Sequence, residues 1–205
     1  MAEVKFTKTE LRAQQVKLDR LQKYLPTLQL KKAMLQLEVN QAQSEIEGLI
    51  AEFGISQEKV GKYSALLTER SATDLFSAVK IHQVQTSYEN IAGVEIPNFE
   101  RIDFELPTYS LFDTPVWFES AILGIKELIT IREKIKIAEE KKRALEKELR
   151  EVSIRVNLFE KILIPRAKEN IKKIKIFLGD LQLAAVSQAK VAKKKILLRS
   201  KGVRE

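Results

Sequence analysis

The amino-acid sequence predicts a mainly α protein: a long antiparallel two-helix coiled coil formed by the N- and C-terminal helices, with a short helix and a β-hairpin inserted between them. Three observations carry this. Apolar residues recur in a 3–4 alternation at both ends of the chain. Charged residues make up 31% and hydrophobic ones 44%, a balance suited to long helices with one solvated face. Only 7 Gly and 5 Pro punctuate 205 residues, too few for an all-β chain.

Residues 1–69 read as the N-terminal coiled-coil helix. Thr7 and Glu10 have the S/T-x-x-E spacing of a capping box, which places the helix start near Lys8. One seam then runs through Leu11, Leu18, Leu25, Lys32, Val39, Ile46, Phe53, Val60 and Leu67. The other runs through Gln14, Leu21, Leu28, Leu35, Ala42, Leu49, Ser56 and Tyr63. Of these 17 positions 14 are apolar, a pattern sustained over eight heptads. Pro26 removes one backbone hydrogen bond and crowds the preceding turn, so a kink is expected near residues 23–25.

Residues 70–114 read as a middle module. Residues 71–85 are expected to form one short helix carrying His82. Val94/Ile96 and Ile102/Phe104/Leu106 then alternate with polar residues, the period of a strand. The expected hairpin turn is at Pro97-Asn98. Residues 88–118 hold 7 of the 14 aromatics and 3 of the 5 prolines, a shift that marks an inserted unit. An isolated two-stranded hairpin is marginal in water, so it should settle on the helices or on a partner.

Residues 115–205 read as the C-terminal coiled-coil helix with a basic end. Thr114-Pro115 has the order of an N-cap followed by a first-turn proline. A second seam follows through Ala121, Gly124, Leu128, Ile131, Ile135, Ala138, Lys142, Leu145, Leu149, Val152, Val156, Phe159 and Leu163. Near Pro165 the step changes by four residues, a stutter that unwinds a supercoil locally. The seam resumes at Ile171, Ile174, Leu178, Leu181 and Ala185. Two seams joined by about 45 residues of chain most simply fold back on each other; a parallel dimer through each seam leaves the hairpin splayed. Neither helix is stable in water without a partner for its apolar stripe.

The net charge is +8, and it is unevenly placed. Residues 161–205 carry 13 Lys/Arg against 3 Asp/Glu, so the rest of the chain is slightly acidic. A basic end of this kind suits a solvated face, a docking tip for an acidic protein surface, or nucleic acid. With no cysteine, disulfides and thiolate metal sites are excluded and a reducing setting fits. The opening residues have no apolar signal-peptide region. The longest uncharged apolar-rich stretch, residues 181–189, is far short of the roughly 20 residues of a membrane span.

The sequence offers no reaction centre. Gly61-Lys62 is followed by Tyr63, which cannot replace the Ser/Thr of a phosphate loop on magnesium, and Gly54 lies at the wrong distance. His82 is the only histidine, so neither a Ser-His-Asp site nor a multi-His metal site is available. Glu139-Glu140 and Glu146/Glu148 sit among lysines at helix spacing and read as surface pairs. No catalytic residue, cofactor or metal site is expected.

Three segments are more specific than the heptads. Arg155-Val156-Asn157-Leu158-Phe159-Glu160, followed by Leu163-Ile164-Pro165, resembles the R-V-N-A-L-E … I-P motif of the D subunits of V-type/A-type ATPases, the bacterial V-type ATP synthase branch in particular. Asn90 to Val94, with Gly93 and then Pro97, resembles the same family's segment before its hairpin. Lys31-Lys32-Ala33-Met34-Leu35 is similar to its first-helix basic run, and the 6–11 opening fits as well. Here Leu158-Phe159 stand in place of Ala-Leu.

The resemblance implies a non-catalytic central-stalk rotor that carries rotation between a catalytic hexamer and a membrane ion-translocating ring. Implied partners are the A and B subunits of the catalytic hexamer, the small F subunit of the stalk, and the funnel-shaped C/d subunit that links to the ring. It implies no nucleic acid and no membrane insertion, and a cytoplasmic place peripheral to the membrane. It further implies that the helix termini enter the hexamer bore, with Lys190, Lys193, Lys194, Lys195 and Arg199 as bore contacts. The alternative class is a basic coiled-coil scaffold or nucleic-acid-binding protein; against it, the aromatics cluster in the middle module and do not interleave with the basic residues.

Overall fold

A computed structural model describes residues 5–62, 79–105 and 115–202, with side chains to residue 197. In chain order it contains α1 (Lys8–Gly61), β1 (Ile81–Ile91), β2 (Val94–Phe104), α2 (Trp117–Leu158), a π-helical turn (Phe159–Leu163) and α3 (Ile164–Gly202). The chain divides into two compact units. One takes Met1–Leu30 and Ser153–Glu205, the other Lys31–Val152.

In the first unit α1 begins as its capping box dictates: the Glu10 N–H donates to Thr7 Oγ1 at 3.2 Å. The helix continues through Pro26 without ending, and Thr27 Oγ1 donates to the Tyr24 carbonyl at 2.8 Å. The helices run antiparallel. Phe6 meets Phe177 with ring centroids 5.0 Å apart, while Leu21, further along α1, shares a groove with Phe159. Leu21, Val156, Ile164, Ala167, Ile171 and Ile174 form the buried line.

The expected stutter takes a definite form. The Ile164 N–H bonds the Phe159 carbonyl, an i→i−5 step that inserts one residue into the turn. Pro165 follows directly. A proline ring would crowd the carbonyl four residues earlier in a regular helix, and the wider turn relieves that crowding. The shifted register brings Ile164 and Ala167 into the buried line, two seam residues the heptad count missed. Leu181 and Ala185, expected in the seam, are exposed. The reason lies on α1: that helix begins at Lys8, and Phe6 just ahead of it already faces Phe177, so the described turns of α1 pair with α3 only up to this level.

In the second unit partners again run in opposite directions. Lys31 meets Glu148, Glu45 meets Lys141, Ser56 meets Glu127, and Val60 faces Gly124. Leu35, Val39, Ala42, Ile46, Ile131, Ala138, Leu145 and Val152 are buried. No described position of the two α1 seams is exposed. Burying a Leu or Val side chain contributes about 1.5–3 kcal/mol relative to leaving it in water, so this line holds the helices together. The partly buried Lys31–Glu148 pair, at 2.7 Å, adds on the order of 1 kcal/mol.

The hairpin belongs to this unit and differs from expectation. The strands pair antiparallel with Ile91 opposite Val94, Tyr88 opposite Pro97 and Ile81 opposite Phe104. The turn is therefore Ala92-Gly93, not Pro97-Asn98. Both turn residues have positive φ, 52° and 84°, the geometry whose twist matches a right-twisted two-stranded ribbon. Pro97 is tolerated inside β2 because each strand of a two-stranded sheet has a free edge. The short helix expected over residues 71–85 is contradicted over its described part: residues 79–80 belong to no helix and β1 starts at Ile81, while residues 71–78 lie outside the described residues. His82 is thus a strand residue, and exposed. Ile, Val, Thr and Tyr dominate the apolar content of β1, which favours strand over helix.

The hairpin rests on the helices, as marginal two-stranded ribbons must. Ile96 is fully buried. Lys126 lies 5.4 Å from the Phe104 ring centroid and Lys134 lies 5.6 Å from that of Phe99. At the head of α2, Phe118, Ala121 and Ile122 cluster with Val79, Trp117 and Ile125. α2 starts at Trp117, with the Phe118 N–H donating to the Pro115 carbonyl, so the helix begins two residues after the expected proline; Thr114 lies outside the described residues.

Candidate interaction surfaces

The first surface is the far end of α3. Every side chain from residue 180 to 197 is exposed. Apolar ones are included: Leu183 is 69% and Ile196 66% exposed. Lys190, Lys193, Lys194 and Lys195 stand among them, with no carboxylate in this run after Asp180. The backbone of α3 continues to Gly202, while the Arg199 side chain lies outside the described residues. A helix with exposed leucines and clustered lysines is stable only with other surfaces around it or by continuity with a paired stretch.

The 155–165 segment has a split role. Val156 is a buried seam residue, only 4% exposed. Arg155, Asn157 and Glu160 point outward, and Pro165 follows the π turn. Nearby on α3, Lys173 bonds Glu169 at 2.7 Å and holds its carboxyl below the usual range, chiefly by that hydrogen bond and then by its charge.

The hairpin tip is a third, small feature. Asn90 Oδ1 accepts the Gly93 N–H at 2.9 Å and closes the turn. Pro97, Asn98 and Phe99 line a cavity of about 380 Å³ together with Glu45, Lys134 and Lys141. The sequence-predicted residues Asn90, Gly93 and Pro97 therefore share one ribbon, where the first two make the turn and the third faces the helices.

A fourth surface was not expected from the sequence. A groove of about 690 Å³ runs along α1 between Thr9 and Tyr24 and is closed on one side by Phe159. Its signal was present: Val16 and Tyr24 are large apolar residues off both seams. Among the described residues, no group of three His, Cys, Asp or Glu is placed to hold a metal. No described helix is long and apolar enough to cross a membrane.

Residues 10–194 match the profile of the ATP synthase D-subunit family. The chain belongs to that family. It is 44% identical to the V-type ATP synthase D subunit of Chlamydia abortus over 199 residues, covering 97% of this chain and 96% of the relative. It is 43% identical to that of Chlamydia caviae with the same coverage, and 41% identical to that of Chlamydia pneumoniae over 96% of this chain and 95% of the relative. As a member of the D-subunit family, the chain is a component of a V/A-type ATPase, one part of a multi-subunit complex. The paired helices, hairpin and exposed basic helix end are the surfaces it brings to that assembly.

Proposed function

We propose that this chain is the non-catalytic rotor of the central stalk, carrying rotation between the hexamer of A and B subunits and the membrane ion-translocating ring. The small F subunit binds along the coiled coil, the funnel-shaped C/d subunit links it to the ring, and the whole is peripheral to the membrane. Family membership supports this reading. The observation that carries it is the exposed end of α3, where Leu181, Leu183 and Ile196 stand in the open beside clustered lysines. On this reading that end lies in the hexamer bore. Lys190, Lys193, Lys194, Lys195 and Arg199 then meet the wall through several weak, screened contacts that centre the shaft without fixing its angle.

The paired helices suit the task. Torque passes through a two-helix shaft only when the helices cannot slide past each other, and a seam of Leu, Ile and Val knobs resists sliding. Changing Lys193, Lys194 and Lys195 together to Gln tests the reading. Assembly with the A and B subunits should weaken and become less sensitive to salt, while the helicity of the free chain stays unchanged. Unaltered assembly beside a collapsed nucleic-acid affinity, its salt slope lowered by about 2–3 units, would contradict it.

A further inference from the structure

The groove along the first turns of α1 is lined at positions 9, 12, 13, 16, 17, 20, 21 and 24. These are steps of three and four, hence one continuous helix face about 22 Å long at 1.5 Å per residue. Apolar side chains are spaced along the face: Val16 is 44% and Tyr24 62% exposed, with Leu21 beside them and Phe159 from the π turn as the far wall. Its rim is basic. Arg12, Lys17 and Arg20 all line it, and none is within ion-pair distance of a carboxylate among the described residues. The nearest acids on α1 are otherwise engaged: Asp19 pairs with Lys23 at 3.0 Å and Glu10 accepts from Gln14 at 2.8 Å.

We infer that this face is a docking groove for an acidic amphipathic helix of a neighbouring subunit, about four turns long. Exposed Val and Tyr supply the apolar contact that a partner helix covers with side chains at i, i+3, i+4 and i+7. Three cations with no carboxylate partner among the described residues select carboxylates on that helix, and reject a basic or neutral one. Phe159, the first residue of the π turn, stands as the groove's wall, while Ile164 after that turn takes the buried line. A single helix fits better than a flat surface, since the lining follows one helical face with a raised edge. This inference rests on the stalk reading for the presence of neighbouring subunits. It goes further in naming the face of the shaft that is gripped and the chemistry of what grips it.

The test uses the full chain in its complete complex. A photo-reactive diazirine lysine in place of Lys17 is activated after assembly, and the linked peptides are identified by mass. In parallel, Arg12→Gln, Lys17→Gln and Arg20→Gln are combined. The expected result is cross-linking to a helical segment bearing Asp or Glu beside apolar residues at helix spacing. The triple variant should lose about tenfold in assembly affinity at low salt, with unchanged helicity. Three changes on the opposite face, Lys8→Gln, Gln15→Ala and Gln22→Ala, should have little effect. Cross-links to a basic or neutral segment, to a second copy of this chain or to lipid in an otherwise intact complex would overturn the groove proposal and leave the stalk reading standing. A chain that joins no A or B subunits at all would overturn both.

Discussion

A Cβ added to Gly124 would stand 2.8 Å from Cγ2 of Val60, closer than real Cβ contacts come. At this point α1 and α2 approach so closely that a methyl group does not fit unless Val60 moves. Val60 is β-branched and stiff at χ1, so the move is resisted.

The sign of one substitution therefore depends on its neighbour. Ala is the better helix former by about 1 kcal/mol. Gly124→Ala should nonetheless destabilise the native chain, by about 1 kcal/mol net, because overpacking costs about 1–3 kcal/mol. In a Val60→Ala background the same change should stabilise. Thermal or denaturant unfolding of the four-member cycle checks this, and equal effects in both backgrounds would refute the close approach.

Seam residues should separate sharply from the exposed end of α3. Leu35→Ala or Leu145→Ala removes a fully buried side chain and should cost about 2–5 kcal/mol. Leu181→Ala removes one that is 51% exposed and should change the stability of the isolated chain by less than about 0.5 kcal/mol. Urea midpoints of the three variants make the comparison.

The hairpin turn carries a correctable strain. Ala92 has φ 52°, which an alanine adopts at some cost and an asparagine adopts readily. Ala92→Asn should slow amide exchange of β1 and β2, corresponding to about 0.5–1 kcal/mol. Gly93→Ala, at φ 84°, should speed exchange by a similar factor or more.

The middle ribbon should be separable from the helices beneath it. The seam of Val39, Ala42, Ile46, Ile131 and Ala138 is buried helix against helix, and the hairpin adds one fully buried residue, Ile96. Deleting residues 91–106 should leave the coiled coil cooperative in circular dichroism melts while changing the turnover of the reconstituted complex. Global loss of helix would show that the ribbon is needed for the fold.

Much of this architecture is written in the sequence in periodic form, and the exceptions have physical causes. The 3–4 alternation placed the α1 seams because each seam residue answers to the same requirement, an apolar contact every 3.5 residues. It missed Ile164 and Ala167 because the π turn adds a residue, which a heptad count starting from either side cannot place. It extended the seam to Leu181 and Ala185 because periodicity describes one helix and does not say where its partner stops; Phe6 against Phe177 decides that. Pro97-Asn98 drew the turn away from Ala92-Gly93 because alanine is rare at positive φ, although Gly93 within the turn and Asn90 two residues before it were a usable signal. The basic end of α3 was legible as a surface. The groove beside Phe159 was legible only on its α1 side, through Val16 and Tyr24 off both seams, since its wall comes from a segment far away in sequence.

The central claim is that this chain turns inside a sleeve, and one measurement addresses it directly. The chain has no cysteine, so Lys193→Cys provides a single attachment point for a reducible photo-cross-linker in the assembled complex. Linked to the wall, a rotor cannot turn. ATP turnover should fall in proportion to the linked fraction and return when the linker is reduced. Full turnover with the tip still covalently held to an A or B subunit would contradict the account.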